Sequence, residues 1–355
     1  MMTDASDSVA VSGSRSKGPV IAVVALVIGV VGVGWFVAKK ASSSPGAAQA
    51  SGGGGAVARN SAAALQAGLE AAAAYKSQGR FGEASAVLAK LVEQSIDSQP
   101  LRLAFAQSLM GEKKFKEAYA QYQAAFALEQ TTVAAKVTAA QAKVHFEAGT
   151  CANQAGLPQR AAEHYEMAQV GEPGEARYPL YLAMIQIKLG NEDGANASLV
   201  RAAKLNPDLA EAWGTMAELA LRNNSLGLAA QHLDNAERLQ PEVAKWRVVR
   251  ARILNRQGEP EKAATLLLAM DGASLRGRDA MTALAQSYGL LKRPLDAAEV
   301  YANAAKATPD DAELHFEAAQ WLERGGDEAG AVEHAKIGAM LGHEGCREML
   351  AKAGE

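Results

Sequence analysis

Residues 176–207, ARYPLYLAMIQIKLGNEDGANASLVRAAKLNP, are followed in register by residues 210–241, AEAWGTMAELALRNNSLGLAAQHLDNAERLQP. When each unit is numbered from its first residue, both carry alanine at positions 8 and 20 and proline at position 32. The alanine of position 20 recurs every 34 residues apart from one interval of 43, at Ala84, Ala118, Ala161, Ala195, Ala229, Ala263, Ala297 and Ala331. A fixed period of this length predicts a solenoid, because one such unit is too small to bury its own apolar face.

The other recurrent positions predict a helical hairpin within each unit. Small residues at positions 8 and 20 allow two helices to cross closely. Position 15 is glycine, asparagine or lysine, which suits a helix end that needs a left-handed residue. Prolines stand at position 17, at the start of a second helix, or at position 32, where that helix must stop. The units begin at residues 65, 99, 142, 176, 210, 244, 278 and 312.

This pattern resembles the tetratricopeptide repeat (TPR), with its small residue at 8, alanine at 20, leucine or aromatic residue at 24 and proline at 32. Trp213 at position 4 and Tyr75 and Tyr288 at position 11 also match it. The resemblance covers residues 65–345. It implies an all-α fold, a right-handed α-solenoid of about eight TPR-like helical hairpins.

Two segments depart from the repeat. Nine extra residues, 133–141, separate the second and third units. They follow Thr131 and Thr132, and because threonine can cap a helix, we expect the first helix of the third unit to begin some turns early. Residues 344–355 have the character of a capping helix, which the open end of a stack requires.

The first sixty residues predict a membrane attachment. We expect a disordered tail at 1–18, a single transmembrane helix at 19–38 and a flexible Gly/Ser/Ala linker at 39–60. The alternative is a secretory signal cleaved near Ala48–Ala50, which the length of the apolar run disfavours. The numbers of positive charges on the two sides of the span are equal, so charge does not predict the orientation. A short tail before a signal anchor usually stays in the cytosol, and we therefore expect the repeats on the extracytoplasmic (periplasmic) side.

Small residues also form a stripe on one face of the predicted span. Ala22, Ala25, Gly29 and Gly32 follow one another at helical spacing and would allow weak homodimerisation, although such residues are common in membrane helices. Cys151 and Cys346 lie in distant units, so we expect no disulfide between them.

The resemblance implies that first helices line a concave groove, which their positions 2, 5, 9, 12 and 13 face. A locally basic groove of this kind can take an acidic segment or a chain carboxylate, while a solvated helix face is the alternative. The Lys and Asn set of the chaperone-binding subgroup is absent, since its places hold residues such as Leu69, Ala73 and Gln107. The candidate partner-binding residues are Arg177, Lys188, Arg222, Lys245, Arg252, Asn255, Arg256, Phe146, Tyr181 and Phe316.

Motifs that carry chemistry are missing from the sequence. Five of the six histidines fall on repeat positions 4 and 23, which template repetition explains better than a metal site. No zinc, nucleotide or nucleophile motif occurs, so we expect no enzyme, no cofactor and no metal. We expect instead a membrane-tethered scaffold that binds a protein or peptide segment, in envelope assembly or secretion. RNA binding is the first alternative, from the basic run Trp246–Arg252, although a net charge of −3 gives no general attraction to nucleic acid. An enzyme with its site inside the repeats is the more remote alternative.

Overall fold

A computed structural model describes residues 52–94, 98–128 and 137–354, with side chains from residue 61 onward. Within those ranges the chain forms eighteen helices and no strand. The chain divides into two units, Met1–Gly52 and Gly53–Glu355. The predicted tail at 1–18 and the predicted transmembrane helix at 19–38 lie outside the described residues. None of the helices described is both long and apolar enough to span a bilayer.

The helices pair into successive hairpins. The first four hairpins contain α1 Gly52–Ser77 and α2 Phe81–Glu93, α3 Gln99–Gly111 and α4 Phe115–Ala127, α5 Ala139–Gln154 and α6 Pro158–Gly171, and α7 Arg177–Lys188 and α8 Glu192–Leu205. The next four contain α9 Ala210–Arg222 and α10 Leu226–Leu239, α11 Ala244–Gln257 and α12 Pro260–Leu268 with the short α13 Gly272–Leu275, α14 Arg278–Leu290 and α15 Pro294–Ala307, and α16 Ala312–Arg324 and α17 Glu328–Met340. The last helix, α18 Glu344–Ala353, packs against α16 and α17.

Each first helix ends in the same backbone turn. The residue at position 15 has a positive φ in all eight hairpins, in agreement with the left-handed residue expected there. Five of the eight are glycines, while Lys113, Asn224 and Lys292 adopt φ of 62°, 56° and 56°. Because a left-handed residue reverses the chain after a helix, the second helix begins two residues later, at position 17.

Prolines limit the second helices at both ends. Pro158, Pro260 and Pro294 occupy the first turn of α6, α12 and α15, where a missing N–H costs no hydrogen bond. Helices α6, α8, α10 and α15 each end two residues before a proline at position 32. This follows because the residue before proline is disfavoured in the helical conformation.

The repeat positions with small or large apolar side chains form the core. The eight alanines of position 20 are all buried, and the leucines and tyrosines of position 24 fill the space between paired helices. Leu88, Leu199, Leu233 and Leu267 are completely buried, and full burial of such a side chain contributes about 1.5–3 kcal/mol. The main contacts join helices that are neighbours in the chain or first helices of adjacent hairpins, as a solenoid requires.

Two expectations need correction. Helix α5 begins at Ala139, one turn before the repeat frame, because the Thr138 hydroxyl and the Gln141 side chain form a capping box; Thr131 and Thr132 lie outside the described residues. Residues 52–60 of the predicted flexible linker belong to α1. Helix formation is cooperative, so a helix nucleated in the alanine-rich segment that follows extends into this glycine-rich stretch.

Candidate functional site

The first helices of the fifth, sixth and seventh hairpins line one cavity together with Trp321 of α16. Its volume is about 640 Å³. Nine of the lining residues occupy positions 9, 12 and 13 of α9, α11 and α14, which are among the positions expected to face the groove. We call this cavity the arginine pocket; its lining is Glu218, Leu221, Arg222, Arg252, Asn255, Arg256, Gln286, Gly289, Leu290 and Trp321.

Positive charge in the arginine pocket is poorly compensated. Arg252 has no ion-pair partner in the part of the chain that the structure describes. The nearest carboxylate oxygen to Arg222 belongs to Glu192, at 4.0 Å, and Arg256 contacts the neutral side chain of Asn224 at 3.5 Å. All three guanidinium groups are exposed, so they remain available to an anionic ligand.

The acidic residue of the pocket is already engaged. Glu218 Oε1 lies 2.9 Å from Nζ of Lys245, which also lies 5.5 Å from the ring centre of Trp246. Lys245 therefore neutralises Glu218, and the three arginines dominate the electrostatic potential of the cavity.

One end of the arginine pocket is apolar. The Leu290 side chain is 56% exposed there, beside the half-buried Trp321 ring. Gly289 allows the ring to lie against α14, because a Cβ at this position would come within 2.7 Å of Trp321 Cη2. The cavity therefore presents both guanidinium groups and an aromatic surface.

Asn255 connects two of the helices that form the pocket. Its Nδ2 donates to the Ala283 carbonyl at 3.2 Å, and its Oδ1 accepts from the Ser287 hydroxyl at 3.0 Å. Ser287 is completely buried. Because both polar ends of Asn255 are bonded within the protein, it positions α11 against α14, and Arg252 and Arg256 are more available for recognition.

The other candidate residues lie elsewhere. Arg177 forms two hydrogen bonds to the Glu175 carboxylate, which raise the pKa of the guanidinium, and it lies 5.9 Å from the ring centre of Phe146. Phe146 and Tyr181 pack edge to face at 5.0 Å. Lys188 donates to Asn153 Oδ1 at 3.3 Å.

Phe316 lies at the C-terminal cap. Its ring stacks on His343 with 4.3 Å between centres, and it packs on Gly345 at the start of α18. The candidates therefore divide into a cluster in the arginine pocket and several groups engaged in internal contacts.

The N-terminal hairpins contain a polar network that the sequence reasoning missed. Lys76 donates to Gln107 at 2.9 Å, Gln107 donates to Glu147 at 3.0 Å, and the buried Tyr122 hydroxyl donates to the same carboxylate oxygen of Glu147 at 2.9 Å. We call these four residues the N-terminal network. Burial lowers the pKa of Lys76, and burial beside Glu147 raises the pKa of Tyr122. Lys76 and Gln107 occupy positions 12 and 9, so the repeat frame contained a signal for them.

Histidines at positions 4 and 23 form pairs inside two hairpins. The Nδ1 atoms of His145 and His164 lie 3.1 Å apart, and those of His315 and His334 lie 3.0 Å apart. Burial and the neighbouring His145 lower the pKa of His164 to about 4. The coincidence of histidine at both positions in one unit is the signal that could have predicted these contacts.

Reactive groups are scarce in the described ranges. They contain no group of three or more His, Cys, Asp or Glu side chains arranged to hold a metal ion. Cys151 and Cys346 are buried free thiols, and burial raises the pKa of Cys151 to about 12 and also raises that of Cys346. Neither thiol is therefore available as a thiolate near neutral pH.

Five residues of the arginine pocket stand at the expected groove positions but were not among the candidates: Glu218, Leu221, Gln286, Gly289 and Leu290. Gln286, Gly289 and Leu290 are positions 9, 12 and 13 of the seventh unit, and none of them is charged or aromatic. Trp321 stands at position 10, outside the expected set. Its place in the cavity depends on the missing side chain at Gly289.

Comparisons with known proteins agree with the observed hairpins. A family model for the tetratricopeptide repeat matches residues 215–274 and 282–337. No curated protein matches the chain by sequence. A tetratricopeptide repeat protein from Parabacteroides merdae has a similar solved structure, with a TM-score of 0.58 and 15% identity over 71% of this chain and 97% of that one. Yeast Tom70 has a TM-score of 0.55 and 16% identity over 77% of this chain and 57% of Tom70. At these identities the structural likeness shows the fold alone.

Proposed function

We propose that this chain, which is a tetratricopeptide repeat protein, is a non-catalytic scaffold that holds a segment of another protein in its concave groove. The arginine pocket is the observation that carries the proposal. Side chains at positions 8, 20 and 24 are buried in helix packing, whereas Arg222, Arg252 and Arg256 face a cavity built by successive first helices. Side chains that packing does not use are available to a partner.

The chemistry of the described residues supports the absence of catalysis. The two thiols are buried and protonated, and the His145–His164 pair packs against Phe126 and Tyr119 of the preceding hairpin. Because packing uses these groups, the described residues support a role in binding.

We further propose that residues 19–38 anchor the scaffold in a membrane and that the repeats lie on the periplasmic side, in envelope assembly or secretion. The uncharged apolar run in the sequence supports this proposal. Fusions of a reporter that is active only outside the cytoplasm, placed after residue 355, test the orientation. Activity in the fusion is expected, and an active cytoplasmic reporter at the same place would contradict it.

Site-specific photocrosslinking tests the binding proposal. A photoreactive amino acid at Gln286, which is exposed inside the arginine pocket, is expected to capture a defined protein partner in intact cells. The matched control is Gln231, which is exposed on the second helix α10 and does not line the pocket. Capture at Gln231 equal to that at Gln286, or no capture at either position, would contradict binding in the groove.

A further inference from the structure

The arginines of the pocket differ from those that the rest of the fold uses in ion pairs. Arg80, Arg160 and Arg293 each lie within 3.0 Å of a carboxylate three residues further along the chain. Arg222, Arg252 and Arg256 have no carboxylate that close, although they gather at one cavity. A cluster of like charges costs folding free energy, and an anionic ligand bound between them removes that cost.

The aromatic end of the pocket adds a second requirement. Trp321 and Leu290 line the cavity beside the guanidinium groups, and the Arg324 guanidinium covers part of the Trp321 ring, 4.6 Å from its centre. A ligand consisting of carboxylates alone would leave Leu290 and the rest of the ring in water. An apolar side chain placed against Trp321 buries area on both partners, and tryptophan is among the residues that contribute most to binding at interfaces.

From these two features we infer that the arginine pocket selects an acidic peptide segment that carries one bulky apolar side chain. The carboxylates bind Arg222, Arg252 and Arg256 through charge-assisted hydrogen bonds, and the apolar side chain packs on Trp321 and Leu290. This inference rests on the proposed function, since it names the chemistry of the segment held in the groove. A protein segment is favoured over RNA because the positive charge is confined to one cavity and the chain carries a net charge of −3.

Fluorescence anisotropy with synthetic peptides tests the inference on the full chain in detergent. The probe is a fluorescein-labelled peptide with several glutamates and one phenylalanine, spaced by serine and glycine. One control peptide has glutamine in place of glutamate, and a second has serine in place of phenylalanine. We expect the probe to bind at least about tenfold more tightly than either control, with affinity falling as salt is added.

Variants of the protein test separately the contact of the peptide carboxylates with the arginines and the contact of its apolar side chain with Trp321 and Leu290. Arg252→Gln combined with Arg256→Gln is expected to weaken binding of the probe at least about tenfold. Arg247→Gln is the matched control, because Arg247 is exposed on the same helix α11 and does not line the pocket. Leu290→Gln and Trp321→Ala are expected to weaken binding of the probe but not of the peptide that lacks phenylalanine. Leu290→Gln keeps this test valid if loss of the Trp321 ring unfolds the last hairpin.

Equal binding of the glutamate and glutamine peptides, or equal losses from Arg247→Gln and the double variant, would overturn the inference. Tighter binding of single-stranded RNA in competition with the probe would also overturn it. The crosslink at Gln286 separates this failure from failure of the proposed function. A partner captured at Gln286 regardless of Arg252→Gln and Arg256→Gln leaves the scaffold function in place and removes the acidic specificity.

Discussion

Two parts of the surface formed by the first helices use the expected groove positions in opposite ways. In the N-terminal network, Lys76 at position 12 donates to Gln107 at position 9, which in turn donates to Glu147. In the arginine pocket, Arg252 and Arg256 at positions 9 and 13 have no carboxylate partner nearer than 4.0 Å in the region that the structure covers. The repeat fixes where a side chain lies, and the identity of the residue decides whether it stabilises the fold or remains available to a ligand.

The largest expected effect breaks the N-terminal network. Glu147→Leu removes the acceptor of Gln107 and of the buried Tyr122 hydroxyl, so the free energy of unfolding should fall by about 3 kcal/mol. Urea denaturation followed by circular dichroism measures the loss. Hydrogen exchange of the α5 amides locates it.

Glu147→Gln is the control for that variant, because its amide oxygen still accepts a hydrogen bond from Tyr122. We expect it to lose less than half as much stability as Glu147→Leu. Equal losses from the two variants would mean that charge, and not the acceptor, determines the stability of the network. If neither variant lost stability, the N-terminal network would not differ from the arginine pocket in its contribution to folding.

Acidification should lower the stability that depends on the histidine pairs, which lie in the third and eighth hairpins. The pKa of His164 is about 4 in the folded protein and about 6.5 in an unfolded chain, so the unfolded state binds more protons between these values. Stability is therefore complete above pH 6.5 and declines as the pH falls toward 4, by on the order of 2 kcal/mol for this group. Glu163 opposes this effect, whereas His145 and Arg160 add to it.

Thermal unfolding across this pH range measures the histidine contribution. His164→Asn should reduce the acid-dependent part of the change, and His334→Asn should do so in the last hairpin, where burial and His315 also lower the pKa of His334. An unchanged pH dependence in both variants would show that other groups, such as carboxylates, control acid unfolding.

The repeat frame predicted most of the fold because each of its positions has one physical requirement. A left-handed turn at position 15, a small residue at 20 and a proline at 32 leave few alternatives, and the structure places them as expected. The positions of the arginine pocket also followed from the frame, as Arg222, Arg252 and Arg256 illustrate. Whether such a side chain is paired could not be predicted, because pairing depends on contacts between units, such as Lys245 with Glu218.

The contact of Trp321 is another contact between units that the repeat frame could not predict. This contact, with α14, requires glycine at residue 289, which is one unit earlier in the sequence. The N-terminal network likewise joins Lys76 to Gln107, 31 residues apart, and Gln107 to Glu147, 40 residues apart. A pattern evaluated unit by unit does not contain these pairs, although it places each residue on the correct helix.

A smaller effect, of opposite sign, is expected at the turns. Lys113, between Gln107 and Tyr122 of the N-terminal network, and Lys292, two residues after Leu290 of the arginine pocket, hold φ of 62° and 56°. Replacing either with glycine removes the steric cost of a left-handed side chain and should raise the free energy of unfolding by about 0.5–1 kcal/mol. Gly258→Ala, at the equivalent turn with φ of 81°, should lower it by about 1 kcal/mol. Urea midpoints measure all three, and a loss of stability in both lysine variants would contradict the strain assigned to these turns.

The smallest effect on stability is expected at Arg252, and it tests the difference between the N-terminal network and the arginine pocket most directly. Arg252→Gln removes a guanidinium that has no ion-pair partner among the described residues, so the free energy of unfolding should change by less than about 0.5 kcal/mol. Any change should be toward greater stability, because one of three neighbouring positive charges is lost. Urea denaturation of this variant beside Glu147→Leu measures the contrast directly. A loss above about 1 kcal/mol would mean that Arg252 is held by the fold as Glu147 is, and the arginine pocket would then be a second internal network and not a surface left open for a partner.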